Sequence, residues 1–154
     1  MKKMLSAIAA TTAAITFMPQ HVQAHCEIPC GIYDDHGVLG SIVLDAQTIE
    51  KSMTQIVELS KDAAKNQNQI VRWVNNKDEH ATKVQKTIAK YFLTQRIKPV
   101  AKEKEAEYKV YQAKLEIMHK ILVAAMKAKQ TTDVKYAQEI VTQLKAYHGL
   151  SHSH

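Results

Sequence analysis

The sequence predicts an all-α protein, an antiparallel four-helix bundle preceded by an irregular N-terminal hook, and three observations support this prediction. The 154 residues include only four glycines and three prolines, few for a fold that is rich in turns. Apolar residues recur at helical spacings through four separate segments. Short polar links separate these segments. Because one helix cannot bury its own apolar face, we expect the four segments to pack together as a bundle over residues 41–149.

Residues 1–24 are predicted to be a cleaved signal peptide. Lys2 and Lys3 give a positive start, an uncharged apolar stretch follows, and Val22 and Ala24 precede the expected cut. A retained membrane anchor is the less favoured alternative, because the apolar stretch is shorter than the ~20 residues of a spanning helix. We therefore expect an exported protein, periplasmic or secreted, with no stable membrane insertion after cleavage.

Four apolar stripes define the helices in chain order, beginning near Ser41. The polar residues 66–69 are predicted to separate the first helix from the second, and Pro99 to end the second. Residues 129–133 are predicted to separate the third helix from the fourth, which ends at Gly149. The stripes are Ile42, Ala46, Ile49, Met53, Ile56 and Ala63; Ile70, Trp73, Ala81, Val84, Ile88 and Tyr91; Tyr108, Tyr111, Leu115, Met118, Leu122 and Ala125; and Ala137, Ile140, Val141, Leu144 and Tyr147.

The charge pattern gives no indication of a nucleic-acid partner. The formal net charge is +6, but lysines and glutamates mix along the chain and no basic run is interleaved with aromatic residues. Lys77 is unusual because it lies on the apolar face of the second predicted helix. It marks an interface, provides a charge that attracts anions, or is a displaced surface lysine. Residues 150–154 are interpreted as a flexible, histidine-containing tail rather than a metal-collecting segment.

Residues 25–40 show no helical period and are interpreted as a hook and linker that contain both cysteines. Cleavage after Ala24 would give His25 a free α-amine beside its imidazole. The amide nitrogen and thiolate of Cys26 and the thiolate of Cys30 complete a possible donor set. A deprotonated amide in such a chelate favours a square-planar Ni(II) or Cu(II) ion. Pro29 suits the turn that brings the second thiolate back to the same ion.

The cysteine pair has two other interpretations. Two cysteines in an exported protein commonly form a disulfide, and the spacing by itself favours that interpretation. A structural zinc site needs four side-chain ligands, whereas the hook supplies three. A disulfide has no use for a histidine at the new terminus, so we favour the metal site. The alternative function is an exported helical bundle that carries metal, or a disulfide-bearing adaptor without enzymatic activity.

The segment HCEIPCGIY, residues 25–33, closely resembles the N-terminal nickel hook of nickel superoxide dismutases, whose pattern is His-Cys-x-x-Pro-Cys-Gly-x-Tyr. Residues 72–81 and 97–99 are more weakly similar to the second-helix region of that family. The resemblance implies an enzyme that converts superoxide to oxygen and hydrogen peroxide while nickel, one ion per subunit, cycles between Ni(II) and Ni(III). It also implies a four-helix bundle assembled as a homohexamer.

The resemblance further implies roles for individual residues. Pro29 would take the cis peptide found in the family's hook, and Tyr33 would act as a catalytic residue that gates access of the anion beside the metal. Asp45 fits best as the acidic residue of the first helix that holds the ligand imidazole. His80 lies where some members have an arginine that helps in this task, and Arg96 lies about where a second tyrosine is found. The implied nickel ligands are His25, Cys26 and Cys30.

Overall fold

The computed structural model describes residues 35–151. The predicted signal peptide, the hook motif of residues 25–33 and residues 152–154 lie outside the described residues. The described chain contains four α-helices, a 3₁₀ turn at Ser60–Asp62 and a π-helical segment at Ile88–Arg96 that continues the second helix. The α-helices are α1 (Asp35–Leu59), α2 (Ala63–Thr87), α3 (Glu105–Gln130) and α4 (Lys135–Ser151).

The four helices form the predicted antiparallel bundle. Each helix packs against the next one in the chain, and α4 packs back against α1. The pairs Asp45–His80 and Ser52–Asn76 show the direction of α1 and α2, because residue numbers rise along one helix as they fall along the other. The start of α1 therefore lies beside the end of the π segment and the end of α4. We call this the hook end, since residue 34 leads into it.

The core confirms most of the predicted apolar stripes. Ala63, predicted to close the first stripe, instead begins α2 and is exposed, and Ile70 and Trp73 are only half-buried. Phe92 and the isoleucines at the centre of the core have no exposed surface. In α3 the buried face differs from the predicted one, because Tyr108, Tyr111 and Leu115 are only half-buried. Lys114 lies over the Tyr147 ring near the end of α4, so the first turns of α3 extend past that helix and nothing in the described chain covers them fully. The buried residues of α3 are Ile117, Met118, Ile121, Ala124, Ala125 and Ala128.

Helix α1 begins at Asp35, six residues before the expected start near Ser41. Gly37 and Gly40 suggested a linker, and each costs about 1 kcal/mol in a helix interior relative to alanine. Leu39 between them is buried in the core, which offsets that cost. Asp35 also places a negative charge in the first turn, where the helix dipole favours it.

The break between the first two helices falls at Ser60–Asp62 rather than at residues 66–69. Asp62 has φ −134° and ψ 68°, outside the helical region. The polar run at 66–69 is helical and mostly exposed, because it lies at the tip of the α1–α2 hairpin. Asn66 also donates a hydrogen bond to the Leu59 carbonyl at 3.2 Å, which satisfies one of the unpaired carbonyls at the end of α1.

Lys77 is buried, and it serves neither as a surface lysine nor as an exposed anion-attracting charge. Its side chain crosses from α2 to the end of α3, where the ammonium donates to the carbonyls of Ala128 at 2.7 Å and Lys129 at 2.8 Å. A third hydrogen bond, at 2.8 Å, reaches the carboxylate of Asp78. The charge therefore caps the negative end of a neighbouring helix.

The other predicted boundaries fall close to the observed ones. Helical winding ends at Arg96, before Pro99, and α3 ends at Gln130. Helix α4 continues through Gly149 to Ser151, two residues further than predicted. Over residues 35–151, none of the helices is both long enough and apolar enough to cross a membrane.

Candidate metal centre and its surroundings

The predicted site divides between the hook and the bundle. Two of its residues, Asp45 and His80, lie in the described bundle. The remaining predicted site residues lie outside the described residues, and they are His25, Cys26, Pro29, Cys30 and Tyr33.

Asp45 on α1 and His80 on α2 form a hydrogen-bonded pair. The distance from His80 Nδ1 to Asp45 Oδ1 is 2.6 Å, and the two side chains are 21% and 14% exposed. The neighbouring residues Ala46 and Ala81 are buried and small, which lets the two helices approach closely enough for the pair to form. A carboxylate has two oxygens and can accept several hydrogen bonds, so Asp45 retains capacity for a further donor.

A second polar cluster lies at the hook end, around the carboxylate of Asp35. The Tyr91 hydroxyl donates to Asp35 Oδ1 at 2.6 Å. Arg96 approaches both oxygens, with Nη2 2.9 Å from Oδ2 and Nε 2.8 Å from Oδ1. One carboxylate from the first turn of α1 therefore binds two side chains of the π segment.

Aromatic rings form the floor beneath this cluster. The Phe92 ring meets Tyr91 and Tyr147 edge-to-face, with centroids 5.1 Å and 5.2 Å apart. Burial raises the pKa of Tyr147 above its usual value. Nearby, the rings of His36 and His148 are 4.9 Å apart between centroids. These contacts join α1, the π segment and α4 at the hook end.

The sequence pattern does not predict Asp35 and Tyr91 as partners of Arg96. It places Asp35 in the linker and Tyr91 on the core stripe. Tyr91 and Arg96 are five residues apart, a spacing that places two side chains on different faces of an α-helix. The one signal in the sequence for a polar cluster is the presence of polar and aromatic side chains before Pro99, and it does not specify their partner.

The Tyr91 hydroxyl is expected to resist deprotonation. Burial, followed by the hydrogen bond to Asp35 and the charge of that carboxylate, raises the pKa of Tyr91 to about 12. Since an unfolded tyrosine has a pKa of about 10, the stabilisation is complete below pH 10 and is lost as the pH rises through 12. Tyr91→Phe should remove the latest-titrating absorbance change near 295 nm. In the same variant, the free energy of unfolding should fall less steeply between about pH 10 and 12. Tyr108→Phe, a half-buried tyrosine of α3, is the control; an unchanged titration in Tyr91→Phe would contradict the assignment.

Comparison with protein-family models gives a match to nickel-containing superoxide dismutase over residues 20–152. The chain belongs to this family. Nickel-containing superoxide dismutases are oxidoreductases, so the predicted enzyme class, nickel cofactor and superoxide substrate are confirmed at the level of the family. Comparison with curated proteins and with solved structures found no match.

The chemistry of the chain's donor groups fits the cofactor of a nickel-containing superoxide dismutase. Within residues 35–151, no group of three or more histidine, cysteine or acidic side chains is arranged to hold a metal ion. The two cysteines of the chain are Cys26 and Cys30, both ahead of the bundle. Thiolates with amine and amide nitrogen suit nickel in its square-planar form better than oxygen donors do.

Proposed function

We propose that this nickel-containing superoxide dismutase disproportionates superoxide at a nickel ion held by the hook, through the ligands His25, Cys26 and Cys30. When bound, nickel would supply a one-electron couple, Ni(II)/Ni(III), that accepts an electron from one superoxide and returns it to the next. The observation that carries this proposal is the family match over residues 20–152, a range that includes residues 25–33. The alternative of a metal carrier or adaptor without activity is not favoured by the same match.

The Asp45–His80 pair is proposed to orient the imidazole of His25. Asp45 stands ten residues, or about 15 Å along α1, from Asp35. The ten residues 25–34 can span about 30 Å when extended, so the distance permits contact. His80 holds one carboxylate oxygen at 2.6 Å. The other oxygen would accept the ring N–H of His25, which fixes the ring orientation as outer partners of metal-ligating histidines usually do.

Tyr33 is proposed to control the approach of superoxide, two residues ahead of Asp35. A phenol can donate a hydrogen bond to a small anion and also limit the width of its path. The net positive charge of the chain adds a general attraction for the substrate. The cysteine thiolates and the amine of His25 hold the metal, whereas Tyr33 and the net positive charge guide the substrate towards it.

Replacement of either cysteine tests the proposed ligand set. Cys26→Ser and Cys30→Ser should each lose the thiolate-to-nickel absorption bands and should leave superoxide decay at its uncatalysed rate in stopped-flow assays. Zinc-loaded wild-type protein is the matched control, because zinc has no redox couple and should be inactive while still occupying thiolate ligands. Full activity in either serine variant would contradict the proposal, as would a nickel-loaded wild type that binds metal but does not turn over.

Removal of His80 tests the proposed orientation of the ligand imidazole. His80→Ala leaves the Asp45 carboxylate without its 2.6 Å partner, so activity per bound nickel should fall by about 10–100-fold. His80→Gln, which retains an N–H donor, should recover part of that loss. Leu44→Ala changes an exposed residue beside Asp45 and serves as the control. Wild-type activity and an unchanged nickel spectrum in His80→Ala would show that the pair has no such role.

The proposed mature protein begins at His25 after export to the periplasm or beyond the cell, and it assembles as a homohexamer with one nickel ion per subunit. The half-buried Tyr108 and Tyr111, on the part of α3 that extends past α4, offer a surface that another subunit can cover. Intact-mass analysis of exported protein tests the terminus, and light scattering coupled to size exclusion tests the assembly. A retained leader, or a monomer at micromolar concentration, would contradict these two points.

A further inference from the structure

The Tyr91, Asp35 and Arg96 side chains connect the start of α1 to the π segment at the hook end. Tyr91 is buried and Arg96 is exposed, and both bind the single carboxylate of Asp35 at 2.6–2.9 Å. A charge-assisted, forked contact of this kind is among the stronger polar interactions in proteins. We call these three residues the Asp35 latch.

The π winding explains how Tyr91 and Arg96 reach the same carboxylate. In an α-helix, residues five apart point about 140° away from each other. A π turn closes with a hydrogen bond between residues five apart, which brings such a pair onto one side. The backbone follows this pattern, since Ile97 N–H donates to the Phe92 carbonyl at 2.9 Å. Two side chains of the segment, Thr94 and Gln95, also bond to carbonyls five residues earlier.

The latch lies at the junction between the bundle and the hook. Asp35 is the first residue of α1 and lies two positions after Tyr33. The first turn of a helix has unpaired backbone groups and opens readily unless other elements hold it. Here it is held by the π segment, which itself packs through the Phe92 ring against Tyr147 of α4. The point where the chain leaves the bundle is therefore fixed by contacts outside the metal-binding motif.

We propose that the Asp35 latch is a positioning device for the nickel hook, which fixes the start of α1 so that Tyr33 and the metal ligands are presented in one place. This inference rests on the proposed function of the hook. Tyr91 and Arg96 act through Asp35 and touch neither metal nor substrate in this role. The nickel site would then depend on three further residues, which lie in the bundle and not in the hook motif.

Hydrogen–deuterium exchange of the metal-free protein tests the structural half of this proposal. In Asp35→Asn and Arg96→Gln, the first amides of α1 with an intrahelical acceptor, residues 39–42, should exchange about 10-fold faster than in wild type. Amides of Ile49 and Met53, in the buried middle of α1, should be unchanged and report on global stability. Asp133→Asn is the matched control, because it weakens an ion pair with Lys135 at the opposite end of the bundle. Wild-type exchange of residues 39–42 in both latch variants would overturn the proposal.

Nickel titration followed by thiolate-to-nickel absorption tests the functional half. The two latch variants should bind nickel about 10-fold more weakly and with broadened bands, whereas Asp133→Asn should match wild type. Arg96→Lys keeps the charge but loses the forked hydrogen bonds of the guanidinium. Its nickel affinity should therefore lie between that of the two latch variants and that of wild type. Faster exchange of residues 39–42 with unchanged nickel affinity and spectrum would overturn the positioning role. Cys26→Ser distinguishes a failure of the proposed hook from a failure of the latch. If the hook does not hold nickel, Cys26→Ser would bind nickel as wild type does, while the exchange results for the latch variants would stand.

Discussion

Protein that carries one extra residue ahead of His25 is expected to lose tight nickel binding and nearly all dismutase activity. The proposed chelate uses the α-amine of His25 together with the amide nitrogen and thiolate of Cys26. An added glycine converts that amine into a peptide nitrogen, whose lone pair is delocalised into the carbonyl group. The amine ligand is then lost, and the fused chelate ring cannot close at the same place. Activity should fall by more than about 100-fold, the upper end of what losing an outer partner of a ligand costs.

Two proteins that differ by a single glycine provide the measurement. Both are released from a fusion by a specific protease, so that one begins at His25 and the other at the added glycine. The control carries the same glycine after His154, which keeps the mass equal and leaves the hook terminus intact. Nickel content, thiolate-to-nickel absorption and superoxide decay are then compared. Full activity in the N-terminally extended protein would refute the proposed coordination, and with it the reason for cleavage after Ala24.

The helices were predictable because their signal is repeated along each segment. Ile42, Ala46 and Ile49 are each buried where the helical period placed them, and the α4 stripe is buried except for the half-buried Val141. A long amphipathic stripe averages over local exceptions, so two glycines near the start of α1 did not change the fold. They did change the predicted boundary, because a buried leucine between them contributes energy that composition does not show.

The polar contacts at the hook end were not predictable from local pattern. The Asp35 latch needs a π turn, and the i, i+5 spacing of Tyr91 and Arg96 has no counterpart in an α-helical period. It also needs the register between α1 and the π segment, which only the packed bundle specifies. The Asp45–His80 contact depends on the same kind of information. The resemblance indicated both residues, but the helix register brings them to 2.6 Å.

Lys77 shows the same limit, because the sequence marked it as unusual and the bundle gives the reason. Its position on an apolar face is compatible with burial because three acceptors surround the ammonium, namely two carbonyls at the end of α3 and the Asp78 carboxylate. Within residues 35–151, no buried side-chain nitrogen or oxygen lacks a hydrogen-bond partner. A buried charge with all its donors satisfied is stable in place, although the same charge without partners would destabilise the fold.

Lys77→Met is expected to be the most destabilising single substitution proposed for the bundle. Methionine fills similar space, but the carbonyls of Ala128 and Lys129 lose donors at 2.7 Å and 2.8 Å near the end of α3, where Ala128 is buried and Lys129 half-buried. Hydrogen bonds to charged groups and unpaired buried acceptors together give a loss of about 2–4 kcal/mol in the free energy of unfolding. For a domain of this size that corresponds to a fall in Tm of about 10–20 °C. Denaturant and thermal unfolding of the metal-free protein measure both quantities.

Two further variants separate the helix cap from the ion pair that Lys77 also makes. Lys120→Met removes an exposed lysine paired with Glu116 one turn away on α3, and it should leave the midpoint nearly unchanged. Asp78→Asn removes the charge of the third partner, which is 45% exposed and retains access to water, so its effect should be small. If Asp78→Asn destabilised the protein as much as Lys77→Met, the ion pair rather than the two carbonyls would be the main contribution. A small effect of both would mean that the end of α3 is held by its apolar contacts alone, with Ala124, Ala125 and Ala128 packed closely enough to need no cap.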